Sequence, residues 1–346
     1  MSLGRCYAGH ALNHKLDMAV KYGYKGIELF YEDLVDLAEH LVLQGPSPQT
    51  STAAQIAAAR DIRRMCKRRG LEIICLQPFA HYEGLVDRIE HERRLEKLAL
   101  WIDLAHELDT DMIQIPSNFL PADQVADDLD LIVADLRHVA DIGSQQSPPI
   151  RFVYESLCWG TRVDVWERCW EVVQRVDRAN FGICLDTFNI AGRIYADPES
   201  PTGRTADAEE AVRRSVARLA EVDPRKVFYV QIVDAERLRE PLVEGHSFYH
   251  VDQPARMSWS RNCRLFYGEK DRGAYLPVRE IASAIFHEIG FDGWVSLELF
   301  NRRMSDDGEE VPEELAQRGA ISWTKLVRDM GLADTSTPST RISASL

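Results

Sequence analysis

The sequence predicts an α/β protein folded as a closed (β/α)8 barrel, on three observations. Short β-branched and aromatic runs alternate with amphipathic helical stretches along the 346 residues. Strict alternation of this kind implies parallel strands joined by crossover helices. A glycine recurs just before several strand runs, in Tyr22-Gly23-Tyr24-Lys25-Gly26, Arg69-Gly70-Leu71 and Ile289-Gly290-Phe291-Asp292-Gly293. Glycine there closes a helix and feeds the next strand. Four apolar runs end on an oxygen-bearing side chain: Phe152-Val153-Tyr154-Glu155, Ile183-Cys184-Leu185-Asp186, Phe228-Tyr229-Val230-Gln231 and Trp294-Val295-Ser296-Leu297-Glu298. In such a barrel the strand C-termini form the active face.

In chain order, Met1-Ser2-Leu3-Gly4 reads as the end of a first strand whose beginning the sequence lacks, so a truncated first strand is expected. A helix over Leu12–Tyr22 and a strand over Gly26–Phe30 follow. The Pro/Ser/Thr-rich stretch Gln44–Thr52 reads as a loop between two helical pieces. Helices are then expected over Ala53–Arg69, Arg88–Glu107, Ala122–Ile142, Asp164–Val176 and Ala206–Ala220. They interleave with strands over Leu71–Leu76, Met112–Ile115, Arg151–Glu155, Phe181–Asp186 and Val227–Val233. A long loop runs from Asp234 to about Leu276. A helix over Val278–Ile289, a strand over Trp294–Glu298 and a helix over Pro312–Met330 complete the barrel. One domain, residues 1–332, accounts for these elements, and the Ser/Thr-rich tail 333–346 is expected to be disordered.

Net charge is −14, from 41 Lys and Arg against 55 Asp and Glu. Such a chain has no global attraction for nucleic acid or for an anionic membrane. No apolar run approaches the ~20 residues that span a bilayer, and no signal-peptide pattern is visible at Met1-Ser2-Leu3-Gly4-Arg5. The seven cysteines are scattered, without a CxxC pair. That pattern favours a reduced, cytoplasmic protein and opposes zinc–thiolate sites. A homo-oligomer is compatible with the sequence.

Counting the stub as the first strand, Glu155, Asp186, Gln231 and Glu298 end strands five to eight. Carboxylates at the ends of buried runs need a counter-ion. A single hard divalent cation held by oxygens is the simplest one. No imidazole belongs to this set, which weakens the case for zinc. The long loop carries Arg256, Arg261 and Arg264 with Ser258, Ser260, Trp259, Phe266 and Tyr267. Arginine forks and serine hydroxyls suit a small anion, and the aromatics argue for a folded lid. His10, His81, His246 and His250 fall on loops of the active face, and Glu28 ends its strand close enough to shape a pocket or bond a lysine.

These residues resemble the xylose-isomerase-like TIM-barrel superfamily of sugar isomerases, epimerases and dehydratases. The segments Met1–Cys6, Gly26–Phe30, Leu185–Arg193, Met257–Glu269 and Val295–Arg303 are similar, within it, to the fungal-type 3-dehydroshikimate dehydratases. The resemblance covers nearly the whole chain except the tail. It implies a metal-dependent hydro-lyase that turns 3-dehydroshikimate into protocatechuate and water, by enolate-type elimination, in quinate/shikimate catabolism. It implies one divalent ion (Mg²⁺, Mn²⁺ or Co²⁺) at Glu155, Asp186, Gln231 and Glu298. Substrate contacts would come from Ser260 and Arg264, with Arg261 and Asn189 beside them. Relatives commonly carry a histidine three residues after the Asp of the sixth strand, where this chain has Asn189. Asparagine cannot act as a general acid or base, so proton transfer would fall to His81, His250 or a water at the metal. A ketose epimerase or isomerase on the same scaffold is the alternative. An endonuclease-IV-like nucleic-acid enzyme is opposed by the charge and by the absence of histidine ligands. A non-catalytic anion-binding barrel would use the arginine loop alone.

Overall fold

The computed structural model describes residues 2–43, 51–332 and 344–345. The helices and strands, in chain order, are α1 (Leu12–Lys21), β1 (Gly26–Phe30), α2 (Tyr31–Leu43), α3 (Thr52–Arg69), β2 (Glu72–Gln77), α4 (Arg88–Leu108), β3 (Met112–Pro116), α5 (Leu129–Ser144), β4 (Arg151–Glu155), α6 (Trp166–Val176), β5 (Phe181–Asp186), α7 (Thr187–Ile194), α8 (Ala208–Leu219), β6 (Val227–Gln231), β7 (Asp234–Ala235), α9 (Ala255–Cys263), β8 (Arg264–Leu265), α10 (Val278–Ser283), β9 (Trp294–Ser296), α11 (Val311–Met330) and β10 (Ala344–Ser345). The barrel closes in the order β1-β10-β9-β6-β5-β4-β3-β2, all parallel, while β7 and β8 form a separate antiparallel pair. The strand alternation read from the sequence is therefore present, with most ends within a residue or two.

The eighth place differs from the sequence reading. Ser2 and Leu3 lie in a turn, not a strand. Ser2 Oγ accepts a hydrogen bond from Leu299 N (3.0 Å) and Leu3 is buried. The place between β1 and β9 is taken by Ala344 and Ser345, which pair with Gly26, Val295 and Ser296. The rest of the tail read as disordered, and positions 44–50 of the expected loop, lie outside the described residues.

Local chemistry explains the helices. Ser51 caps α3 by accepting from Ala54 N (3.2 Å), and Gly70 ends it at φ 67°. Asp87 caps α4 by accepting from Ile89 N and Glu90 N. The buried face of α6 is Trp166, Cys169, Val172, Val173 and Val176, the helical period that seats it against the barrel. The helix expected from Ala122 starts at Leu129 instead, where Asp128 accepts from Asp130 N and Leu131 N. The long lid loop is indeed folded: α9 and the β7–β8 pair bury Trp259, Phe266 and Tyr267.

Period-two alternation positions the site. Cys75, Met112, Val153, Cys184 and Tyr229 belong to one buried cluster of strand residues. Two residues further along each of the same strands stand Gln77, Gln114, Glu155, Asp186 and Gln231. A strand repeats its facing every two residues, so each oxygen-bearing side chain stacks one layer above an apolar one.

Candidate metal centre and active site

Register brings the strand-end residues together. Asp186 and Gln231 are direct partners on β5 and β6, and Gln231 is the partner of Ser296 on β9, two residues before Glu298. Glu155, Asp186 and Glu298 each offer a carboxylate oxygen, and these oxygens lie within 4.8 Å of one another. All three are buried, as is Gln231. The Gln231 side-chain oxygen has no hydrogen-bond partner. A buried acceptor left unpaired is costly, and three clustered carboxylates need positive charge. The donor set is all oxygen, the chemistry that fits a hard divalent cation.

The electrostatics of the cluster follow from burial. Burial and the charges of Glu298 and Asp186 push Glu155 well above its ordinary value. Burial pushes Glu298 up to about 8, with Arg264 pulling the other way. Asp186 is raised by burial and held back by Arg264. Arg264 is the cation they share: its Nη1 donates to Asp186 Oδ2 (2.8 Å) and Glu298 Oε2 (3.0 Å). Burial works against its charge, but Asp186, Glu298 and Glu155 outweigh burial and hold it above the usual value. Phe188 and Phe300 flank the guanidinium, with ring centroids at 4.3 and 5.1 Å. One arginine balances only part of three carboxylates.

Amides hold the carboxylates in place. Asn189 Nδ2 donates to Glu155 Oε1 and Asp186 Oδ2, both at 2.8 Å, and its Oδ1 accepts from Cys158 N. It is a clamp on two carboxylates, buried rather than facing substrate space. Gln114 Nε2 donates to Glu155 Oε2. Gln77 Nε2 donates to Glu28 Oε2 (2.7 Å) and Glu298 Oε1 (3.2 Å). Among the described residues Glu28 meets no lysine; Gln77, Gln231 and Ser296 bond it. Gln77 and Gln114 were absent from the sequence reading. The apolar run Ile73-Ile74-Cys75-Leu76-Gln77 carries the same signal as the four recognised strand ends and could have found the first.

Above the cluster opens a cavity of about 400 Å³. Glu155 and Glu298 reach it from the strand ends, and Ser260, Arg261 and Arg264 from the lid. Phe30, Leu157, Trp159 and Phe300 supply apolar surface, and Arg5 and Glu32 also line it. Ser260 Oγ accepts from Arg264 Nε (3.2 Å). Arg261 donates to Gln253 Oε1 (2.8 Å), and burial and nearby Arg5 lower its pKa.

The histidines do not line this cavity, although His81 packs on Phe119, which does. His81 has φ 59°, approaches Asn118 Oδ1 with Nδ1 (3.2 Å) and packs on Phe119 at 4.3 Å between centroids. Burial lowers its pKa. His250 is exposed, with Nδ1 accepting from Asp252 N. His246 likewise accepts from Phe248 N, and His10 Nε2 bonds Asp306 O (2.7 Å). None of the four is among the lining residues.

The seven cysteines are all free thiols, and among the described residues no helix is long and apolar enough to cross a membrane. Comparison with known proteins agrees with the geometry. A family model described as xylose isomerase-like TIM barrel matches residues 16–326. A Neurospora crassa protein named 3-dehydroshikimate dehydratase is 73% identical over 332 residues, covering 95% of this chain and 92% of that protein. A Pseudomonas aeruginosa protein of the same name is 31% identical over 293 residues, 84% of this chain but 36% of its own length. A solved xylose isomerase-like TIM barrel/4-hydroxyphenylpyruvate dioxygenase fusion protein superposes with a TM-score of 0.68 at 26% identity, covering 93% of this chain and 41% of its own. The chain belongs to the xylose isomerase-like TIM barrel family and is a close relative of the Neurospora 3-dehydroshikimate dehydratase.

Proposed function

We propose that the protein is a hydro-lyase that converts 3-dehydroshikimate to protocatechuate and water. The observation that carries this reading is the two-sided cavity: clustered carboxylates at the strand ends, serine and arginines on the lid. That pairing suits a substrate with vicinal oxygens at one end and a carboxylate at the other. The 73% identity to the Neurospora enzyme over 95% of the chain supports the choice of substrate.

Glu155, Asp186, Glu298 and the Gln231 carbonyl oxygen would hold one divalent cation, Mg²⁺, Mn²⁺ or Co²⁺. Bound there, it would polarise the ketone next to the acidic C4–H bond. Ser260, Arg261 and Arg264 receive the substrate carboxylate. Phe30, Trp159 and Phe300 sandwich the ring and exclude water. The reaction breaks C4–H and the C5–oxygen bond, releases water, and moves a C6 proton to the ketone oxygen as the ring becomes aromatic. Asn189 has no proton to exchange and takes the role of holding Glu155 and Asp186. Proton transfer falls to carboxylates that face the cavity, Glu155, Glu298 or Glu32, rather than to His81 or His250. A cytoplasmic enzyme of quinate/shikimate catabolism, monomeric or homo-oligomeric, fits this chemistry.

The test is ultraviolet detection of protocatechuate from 3-dehydroshikimate with added Mg²⁺, Mn²⁺ or Co²⁺. Chelator should abolish the signal, and Glu155→Ala or Glu298→Ala should cut kcat/KM by at least ~10²-fold. No product with any of the three ions refutes the proposal. Proton exchange on a free ketose without water loss would establish an epimerase instead.

A further inference from the structure

We infer that Glu28 is the positioning residue of the metal centre: it dictates which end of the Gln231 amide faces the clustered carboxylates. The inference rests on the metal reading above.

Glu28 lies within β1, 5% exposed, and outside the carboxylate group formed by Glu155, Asp186 and Glu298. Gln231 Nε2 stands 3.2 Å from its Oε1 and 3.0 Å from its Oε2. Gln77 Nε2 donates to Oε2 (2.7 Å), Ser296 Oγ donates to Oε1, and the Cys75 thiol approaches Oε2 at 3.8 Å. Every one of these partners is a donor. With both Glu28 oxygens accepting, Gln231 turns its NH₂ toward Glu28. Its carbonyl oxygen is thereby turned the other way, and that oxygen is the buried, unpartnered one.

The two ends of a glutamine amide have nearly the same shape, so packing alone does not choose between them. Reversed, Gln231 would present two N–H groups to a cation. The donors already gathered on Glu28, Gln77 Nε2 and Ser296 Oγ, leave it an acceptor toward Gln231 and oppose that arrangement. Through Gln77 the same carboxylate also steadies Glu298, since Gln77 Nε2 reaches Glu298 Oε1 at 3.2 Å. One side chain that is not a ligand thus governs two of the four groups that are. Partners of this kind commonly change metal affinity 10–100-fold.

The experiment is calorimetric titration of Mn²⁺ into the cation-free protein, with no substrate present. Glu28→Gln should weaken Mn²⁺ binding about 10–100-fold. Gln231→Glu alone should weaken it too, because two acceptors then face each other. The double variant E28Q/Q231E restores a donor–acceptor pair in mirror order and leaves an oxygen facing the carboxylates. It should bind within about fivefold of the parent, a non-additivity that a merely structural role would not produce. E28Q binding within twofold of the parent, or a double variant as weak as E28Q, overturns the inference. Should E28Q not fold, Q231E decides: Mn²⁺ binding equal to or tighter than the parent overturns it. A parent that binds no Mn²⁺ sinks the metal reading itself, a separate outcome from a parent that binds alongside an equally competent E28Q.

Discussion

Glu83 shows how a single buried carboxylate sets pH behaviour away from the site. It is 1% exposed, accepts from Asn118 N (2.6 Å) and Tyr154 Oη (3.0 Å), and leaves Oε2 without a partner. Burial pushes its carboxyl from 4.5 up to about 7. A folded value above the unfolded one means stability that is fully present below pH 4.5 and lost as pH rises through 7. Glu83→Gln should remove that loss, which amounts to at most ~1.4 kcal/mol per pH unit. Thermal unfolding of parent and variant at about pH 5 and about pH 8 checks it, and parallel pH dependence in the two chains refutes it. At this scale the sequence was a partial guide. Glu155, Asp186 and Glu298 stood out because a buried strand has no ordinary use for a terminal carboxylate, and Gln231 because its apolar run also ends on a side-chain oxygen. Asn189 was expected to face substrate; its buried amide instead spans Glu155 and Asp186, and only the fold could reveal which neighbours it reaches. His81 and His250 lie on loops, and a loop position does not decide whether an imidazole enters the cavity.

Between elements, the contact of α11 with the lid and with Tyr24 turns on a missing methyl group. A Cβ at Gly319 would stand 2.1 Å from Tyr24 Oη and 3.3 Å from the Phe266 ring. Tyr24 is buried and its hydroxyl donates to Ala316 O (3.1 Å), so it has little room to yield. Gly319→Ala would gain about 1 kcal/mol of helix propensity. Overpacking of this kind costs ~1–3 kcal/mol and should win. Urea unfolding should show a lower midpoint for the variant; an unchanged or raised midpoint refutes it. The elements invisible to sequence have physical reasons. In α7, Thr187 to Gly192 are all buried, so no polar face marks a helical period. Of α2 the sequence showed a helical piece before Gln44 but not its start, because the helix begins at Tyr31, directly after β1. Helix α9 mixes Arg, Ser and Asn with Met and Trp and is held by the lid rather than by an amphipathic stripe.

For the whole molecule, the balance of charge at the barrel mouth predicts a link between cation binding and stability. Glu155, Asp186 and Glu298 are buried around one buried arginine, Arg264, with Glu28 buried beside Gln231. A cation that binds only the folded chain adds ~2.7 kcal/mol at a hundred times its Kd. For a domain of this size that corresponds to a rise in Tm of about 4 °C. Thermal scans with excess Mn²⁺ and with chelator should differ by about that much, and coincident scans refute the link. The sequence by itself determined the alternation of strands and helices, hence the barrel, and which side chains crown its strands. Those depend on short-range periodicity and on the cost of burying charge, both written locally. Tertiary structure alone decided that Ala344 and Ser345 fill the eighth place, that Arg264 spans Asp186 and Glu298, and that Glu28 accepts from the Gln77 and Gln231 amides. These rest on contacts between residues far apart in the chain, whose distances exist only once the barrel has closed.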